Sequence, residues 1–145
     1  MKMTTFYAIE PEVAGRQGKK TVADRTVHPP VITMLHHVFD GWLGDEILES
    51  FPAFLVTERL KTVIESAGLT GVRFSDALEV EVSEQFREFY PERELPPFVL
   101  LDPVGVAGKD DFGLAPDHRL VVSARALQLL DSTSPSQLER EPTSL

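Results

Sequence analysis

The sequence predicts an α+β fold: a single compact domain with a mixed or mostly antiparallel sheet and a few short helices. Three observations lead there. A strand–hydroxyl–helix phrase occurs twice, as Phe54-Leu55-Val56-Thr57 into Glu58-Arg59-Leu60 and as Leu120-Val121-Val122-Ser123 into Ala124-Arg125-Ala126-Leu127. A shorter third use leads from Leu78, Val80 and Val82 through Ser83 to Phe86. In each, the hydroxyl suits an N-cap, accepting a hydrogen bond from an otherwise unpaired N–H of the first helical turn. The apolar runs between these phrases are short and are bounded by Pro and Gly, as strands and turns require. Finally, 145 residues of which 42% are hydrophobic suffice for one sizeable core and are too apolar for a disordered chain.

The elements follow in order. Residues 5–10 read as a strand, with Phe6, Tyr7 and Ile9 on a pleated surface and Pro11 ending it. Residues 15–20 form a polar, flexible loop. His28-Pro29-Pro30 excludes helix interior, since proline lacks a donor and restricts its predecessor. Residues 31–39 mix β-branched side chains with Met, Leu and two His and read as extended. Residues 40–44 form a turn, and 45–50 read as a short helix capped by Asp45 with Ile47 and Leu48 inward.

Residues 54–56 form a buried strand, followed by a helix to about residue 67. Its buried face is Leu60, Val63, Ile64 and Ala67, at i, i+3, i+4, i+7. Gly68 closes that helix in a left-handed conformation. Val72 opens an extended segment, and residues 78–82 alternate as a half-exposed strand before a short helix capped by Ser83. Residues 98–101 and 120–122 are apolar strands flanking a glycine-containing loop, and a last helix runs from 124 to about 131. Residues 1–131 thus form the domain. Residues 132–145, polar and nearly free of apolar side chains, read as a flexible tail that would be ordered only if a neighbour held it.

The formal net charge of −9 disfavours nucleic acid and anionic membranes as partners. Nothing is apolar enough over sufficient length to span a membrane, no secretory signal opens the chain, and there is no cysteine. The expected compartment is therefore the cytoplasm. Charge is also uneven. Between Thr26 and Glu58 there is no Lys or Arg, while Asp40, Asp45, Glu46, Glu49 and Glu58 are acidic. A second stretch from Asp76 to Glu94 holds seven carboxylates against Arg87 and Arg93.

Motifs for chemistry are weak. Gly15-Arg16-Gln17-Gly18-Lys19-Lys20 has the wrong spacing for a phosphate loop and reads as solvated. His36, His37 and Asp40 supply metal-ligand types, but adjacent His side chains leave a strand on opposite faces. The expected arrangement is one His inward and one at the surface, with no metal and no cofactor. In Asp110-Asp111-Phe112-Gly113, the kinase triplet stands without its companion motifs, so Phe112 reads as a loop anchor with Asp110 and Asp111 exposed. No nucleophile elbow is present, and no catalytic residue is assigned. Trp42, the only tryptophan, sits in an acidic turn and suits either the core or an interface hot spot.

Residues 54–60 with Ala67-Gly68-Leu69-Thr70-Gly71-Val72 resemble a phrase of a bacterial family of immunity proteins. These protect cells from polymorphic toxins; the family is the suppressor-type one formerly classed as a domain of unknown function. Asp110-Asp111-Phe112-Gly113 with residues 120–130 is similar to its C-terminal signature, and the stretch from His28-Pro29-Pro30 to Gly41-Trp42-Leu43-Gly44-Asp45 also resembles it. The resemblance spans much of residues 28–131. It implies a binding protein that masks a cognate toxin domain, with no active site to transfer. The interface is then expected at Asp40, Trp42, Asp45, Glu46 and Glu49, with Asp110 and Asp111 second. The alternative is a small ligand- or metal-binding domain or enzyme with a pocket near His36, His37 and Asp40.

Overall fold

Both faces of one strand layer are apolar, and that fixes the architecture. The computed structural model describes residues 5–143. Strands β5 (Ile47–Ser50), β6 (Ala53–Thr57), β9 (Phe98–Pro103) and β7 (Val72–Ser75) form a sheet in the order β5-β6-β9-β7, with every neighbour antiparallel. Ile47, Phe54, Val56, Val99 and Leu101 point into one core, while Leu48, Leu55 and Phe98 point into another. A sheet covered on both faces reads as continuous apolar runs rather than as alternation.

The first core is closed by helices α1 (Glu58–Ser66) and α3 (Ala124–Asp131) and by a second antiparallel sheet. That sheet has the order β10 (Phe112–Leu114), β11 (Leu120–Ser123), β1 (Phe6–Glu10), β12 (Glu139–Thr143). The second core is closed by β4 (Val31–Phe39) through Leu35 and Phe39, and by Phe86 of the short helix α2 (Glu84–Phe89). Strand β4 pairs antiparallel with β2 (Arg16–Gln17) and β3 (Val22–Asp24), and parallel with β8 (Leu78–Val82). The fold is α+β, with twelve strands in mostly antiparallel ladders and three short helices among the described residues.

All three hydroxyl caps form as the repeated phrase requires. The side chains of Thr57, Ser83 and Ser123 accept from the amides of Leu60, Phe86 and Ala126, each at 3.1 Å. Gly68 follows α1 with φ +66°, a conformation that costs an L side chain energy. On α1 the inward face is narrower than its spacing suggests: Leu60 and Ile64 are buried, whereas Val63 and Ala67 are exposed.

Two expectations are corrected. Residues 45–50 are not a helix capped by Asp45. Ile47 and Leu48 must enter opposite cores, which a strand permits and one helical face does not. Residues 132–145 are not a free tail over their described part. Strand β12 pairs with β1 from Phe6↔Thr143 to Glu10↔Glu139, and Leu138 is buried in the first core. One apolar side chain and a vacant edge on β1 supply the burial and backbone partners that composition alone did not suggest.

Candidate functional site

Trp42 stands in the turn between β4 and β5 and is half-buried. Its indole N–H donates to the backbone oxygen of Asp45 at 2.9 Å, and its ring meets Phe98 edge-on at 5.9 Å. The Arg93 guanidinium lies 4.8 Å from the ring centroid, within cation–π range. So fixed, the ring forms a wall shared by two open hollows. One, of about 490 Å³, is lined by Trp42, Gly44, Glu46, Thr57, Arg59 and Pro97, with Glu58 and Pro96 completing it. The other, of about 350 Å³, is lined by Asp40, Trp42, Leu43, Val13, Tyr90 and Glu12, among others. Val13, Leu43 and Tyr90 are exposed there at 69%, 60% and 38%.

The turn is held from beneath by Glu12. Its carboxylate accepts the amides of Leu43 at 2.7 Å and Asp45 at 3.2 Å. Burial raises the Glu12 pKa, outweighing those two hydrogen bonds. Gly15 brings this segment against β4. With φ +132°, a Cβ there would sit 2.0 Å from the Val38 carbonyl oxygen, so no other residue fits.

The seven carboxylate and aromatic positions expected at an interface separate into three groups. Asp40, Trp42 and Glu46 do line the hollows. Asp40 is paired with Arg16 at 2.8 Å; burial pulls its pKa up, but the Ser83 hydroxyl and Arg16 outweigh this and lower it. Glu46 accepts the Thr57 hydroxyl at 2.7 Å and the Arg59 guanidinium. Asp45, by contrast, is buried, and its carboxylate faces the C-terminal segment, accepting from the Ser136 amide at 2.7 Å and the Gln137 amide at 2.9 Å. It has no free face for a partner. Glu49, half-buried on β5, lines neither hollow; burial, with Glu10 adding, raises its pKa.

Asp110 and Asp111 lie elsewhere and are not the exposed pair expected. Asp110 is half-buried and accepts the Val106 amide at 2.7 Å, closing its own loop. Asp111 is buried and accepts from the Ser123 hydroxyl at 2.6 Å, the Thr70 amide at 2.8 Å and the Arg125 fork at 2.8 and 3.0 Å. Phe112 is fully buried, as a loop anchor should be. Asp111 and Glu46 thus do the same work. Each carboxylate arrives from outside the phrase, receives the hydroxyl of a helix N-cap, and is gripped by the arginine two residues later, in Thr57-Glu58-Arg59 and Ser123-Ala124-Arg125.

Both histidines are buried, where one was expected at the surface. They do point apart. His36 Nδ1 accepts the Lys20 amide at 3.3 Å, which leaves Nε2–H to donate to Glu81 at 3.0 Å. His37 Nε2–H donates to the Ala14 carbonyl at 3.3 Å, and its Nδ1 accepts from the Ser50 hydroxyl at 3.4 Å. Neither ring lines the two hollows that Trp42 divides. Among the described residues no group of three His, Asp or Glu is arranged to hold a metal ion, and no helix is long and apolar enough to cross a membrane.

His37 makes one consequence measurable. Burial is the largest influence on its pKa and lowers it below the ordinary value near 6.5. The unfolded chain therefore takes up this proton first as the pH falls. Its contribution is complete above about pH 6.5 and is lost as pH drops through the lower folded value. Urea melts at pH 8 and pH 5 should show a loss of stability that His37→Gln reduces.

Sequence reading missed Glu12, Val13, Leu43, Tyr90, Arg93 and the Pro96-Pro97 wall. Glu12 carries no local signal, because its ligands are amides thirty residues away. Pro96 and Pro97 were legible only as helix stops. No family model, curated protein or solved structure matches this chain.

Proposed function

We propose that this protein is an immunity protein. It binds a cognate bacterial toxin domain in the cytoplasm and masks that domain's active site, acting by binding rather than by catalysis. The observation that supports a docking role is the Trp42 face. A fixed aromatic wall divides two open hollows, with Val13, Leu43 and Tyr90 exposed beside it and Asp40, Glu46 and Glu58 around it. Buried aromatics ringed by polar groups are the anatomy of binding hot spots. The net charge of −9 suits a toxin with a basic cleft, because opposite charge speeds encounter and fixes orientation. The likeness of the chain's phrases to the immunity family supports the same reading.

The test is co-expression with the C-terminal domain of a large protein found encoded next to this chain, with only one of the pair tagged. A stable one-to-one complex that abolishes toxicity is the expected result; free components and undiminished toxicity would sink the proposal. Within a complex, Leu43→Arg or Val13→Arg should weaken binding by about 30-fold or more while leaving the melting temperature unchanged, because both side chains are already exposed. Charge reversal at Asp45 tests folding instead of docking, since that carboxylate is internal.

A further inference from the structure

We propose that Asp45 is a positioning residue that couples the C-terminal segment to the Trp42 anchor, so that seating of residues 136–143 sets the shape of the docking face. The inference rests on the Trp42 face being the docking surface. Six residues form an unbroken chain of contacts. The carboxylate of Asp45 takes the Ser136 amide at 2.7 Å, the Ser136 hydroxyl at 3.2 Å and the Gln137 amide at 2.9 Å. The backbone oxygen of the same residue takes the Trp42 indole N–H at 2.9 Å. Its amide donates to Glu12, whose other carboxylate oxygen holds the Leu43 amide. One residue therefore faces the chain terminus with its side chain and the aromatic anchor with its backbone.

Burial makes the coupling strong. Asp45 is 3% exposed, so its carboxylate depends on those three donors in place of water. If residues 136 and 137 leave, the carboxylate must rotate toward solvent. The backbone that carries it, and that fixes the indole, moves with it. Two residues further on, Leu138 packs into the same core as Ile47, two residues after Asp45. Seating of the tail and fixing of the turn thus share both a polar and an apolar contact. A partner that contacts either end reads the state of the other.

Trp42 is the only tryptophan, so the coupling can be read in the full-length chain without any partner. Asp45→Asn and Ser136→Pro, which disables the tail's donor, should each raise the acrylamide quenching constant of Trp42 by about twofold or more, and the double variant should add little. Arg140→Ala, which cuts the Arg140–Asp131 pair and the Arg140 contact to the Leu138 carbonyl but touches neither Asp45 nor its donors, should leave Trp42 unchanged. In the unmodified chain, the amides of Leu43, Asp45, Ser136 and Gln137 should exchange with solvent hydrogen with protection factors matching to within about twofold. Unchanged quenching in both Asp45→Asn and Ser136→Pro would overturn the coupling, as would tail amides that exchange far faster than those of the turn. These readouts need no toxin. Their failure leaves the docking proposal standing, and failure of the co-purification leaves the coupling standing.

Discussion

Asp111→Ala is expected to lower stability by about 3 kcal/mol, or about 10 °C in melting temperature for a chain of this size. The carboxylate is 7% exposed and joins three elements: the loop after α1 through Thr70, the cap of α3 through Ser123, and Arg125 of α3 itself. Removing it strands the Thr70 amide and the Ser123 hydroxyl and frees the Arg125 fork. Each buried polar group left unpaired costs about 1–3 kcal/mol. The exposed side of Arg125 limits the ion-pair share, because water screens it. A pH dependence identifies the cause. Burial acts to raise the Asp111 pKa, but the Arg125, Ser123 and Thr70 hydrogen bonds outweigh it and hold the carboxyl well below the usual carboxylate range. The unfolded chain therefore protonates first as pH falls. The contribution is complete above about pH 4 and is lost as pH drops through the folded value. Urea melts should show the gap between the native chain and Asp111→Ala at pH 7 narrowing in stronger acid. A pH-independent gap would mean that packing, not charge, is responsible.

Ending the chain after Thr133 should destabilise it comparably, by about 3 kcal/mol. Burial of Leu138 contributes about 2 kcal/mol, and loss of the Ser136 and Gln137 donors leaves the Asp45 carboxylate uncompensated. Release of the segment's ordering entropy offsets part of this. The truncation has a second effect that stability alone does not report. Strand β12 covers the edge of β1, so its removal bares the N–H and C=O groups that pair from Phe6 to Glu10. Bare edges recruit other chains. Light scattering should therefore show self-association in the truncated chain and not in the full one. A monomeric truncation with an unchanged melting temperature would show that β12 is dispensable.

The two effects are linked to how the fold is written. What the sequence determined by itself is local. The hydroxyl before each apolar helix start specified the three caps, because a cap needs only its own side chain and an amide three residues on. Apolar runs and turn residues marked β1, β6, β8, β9 and β11, and Gly68 marked the end of α1, for the same reason of short range.

What only the tertiary structure decided is where the charges go. Asp111 and Glu46 look like free surface acids, and Thr57-x-Arg59 and Ser123-x-Arg125 look like ordinary helix starts. Their union depends on loops that meet in space. Asp45 has the sequence of a helix cap, yet it accepts amides ninety residues later. Residues 45–50 fit a helix by composition and become β5 because two cores, one on either side, each demand a side chain. The C-terminal segment lacks apolar content of its own and is ordered by the vacant edge of β1. Of the residues lining the two hollows beside Trp42, the sequence reading singled out Trp42, Asp40 and Glu46 and passed over Val13, Tyr90 and the Pro96-Pro97 wall. Local hydrogen bonds and periodicity are encoded within a few residues, but burial, and with it the fate of a carboxylate, is a property of the assembled layers.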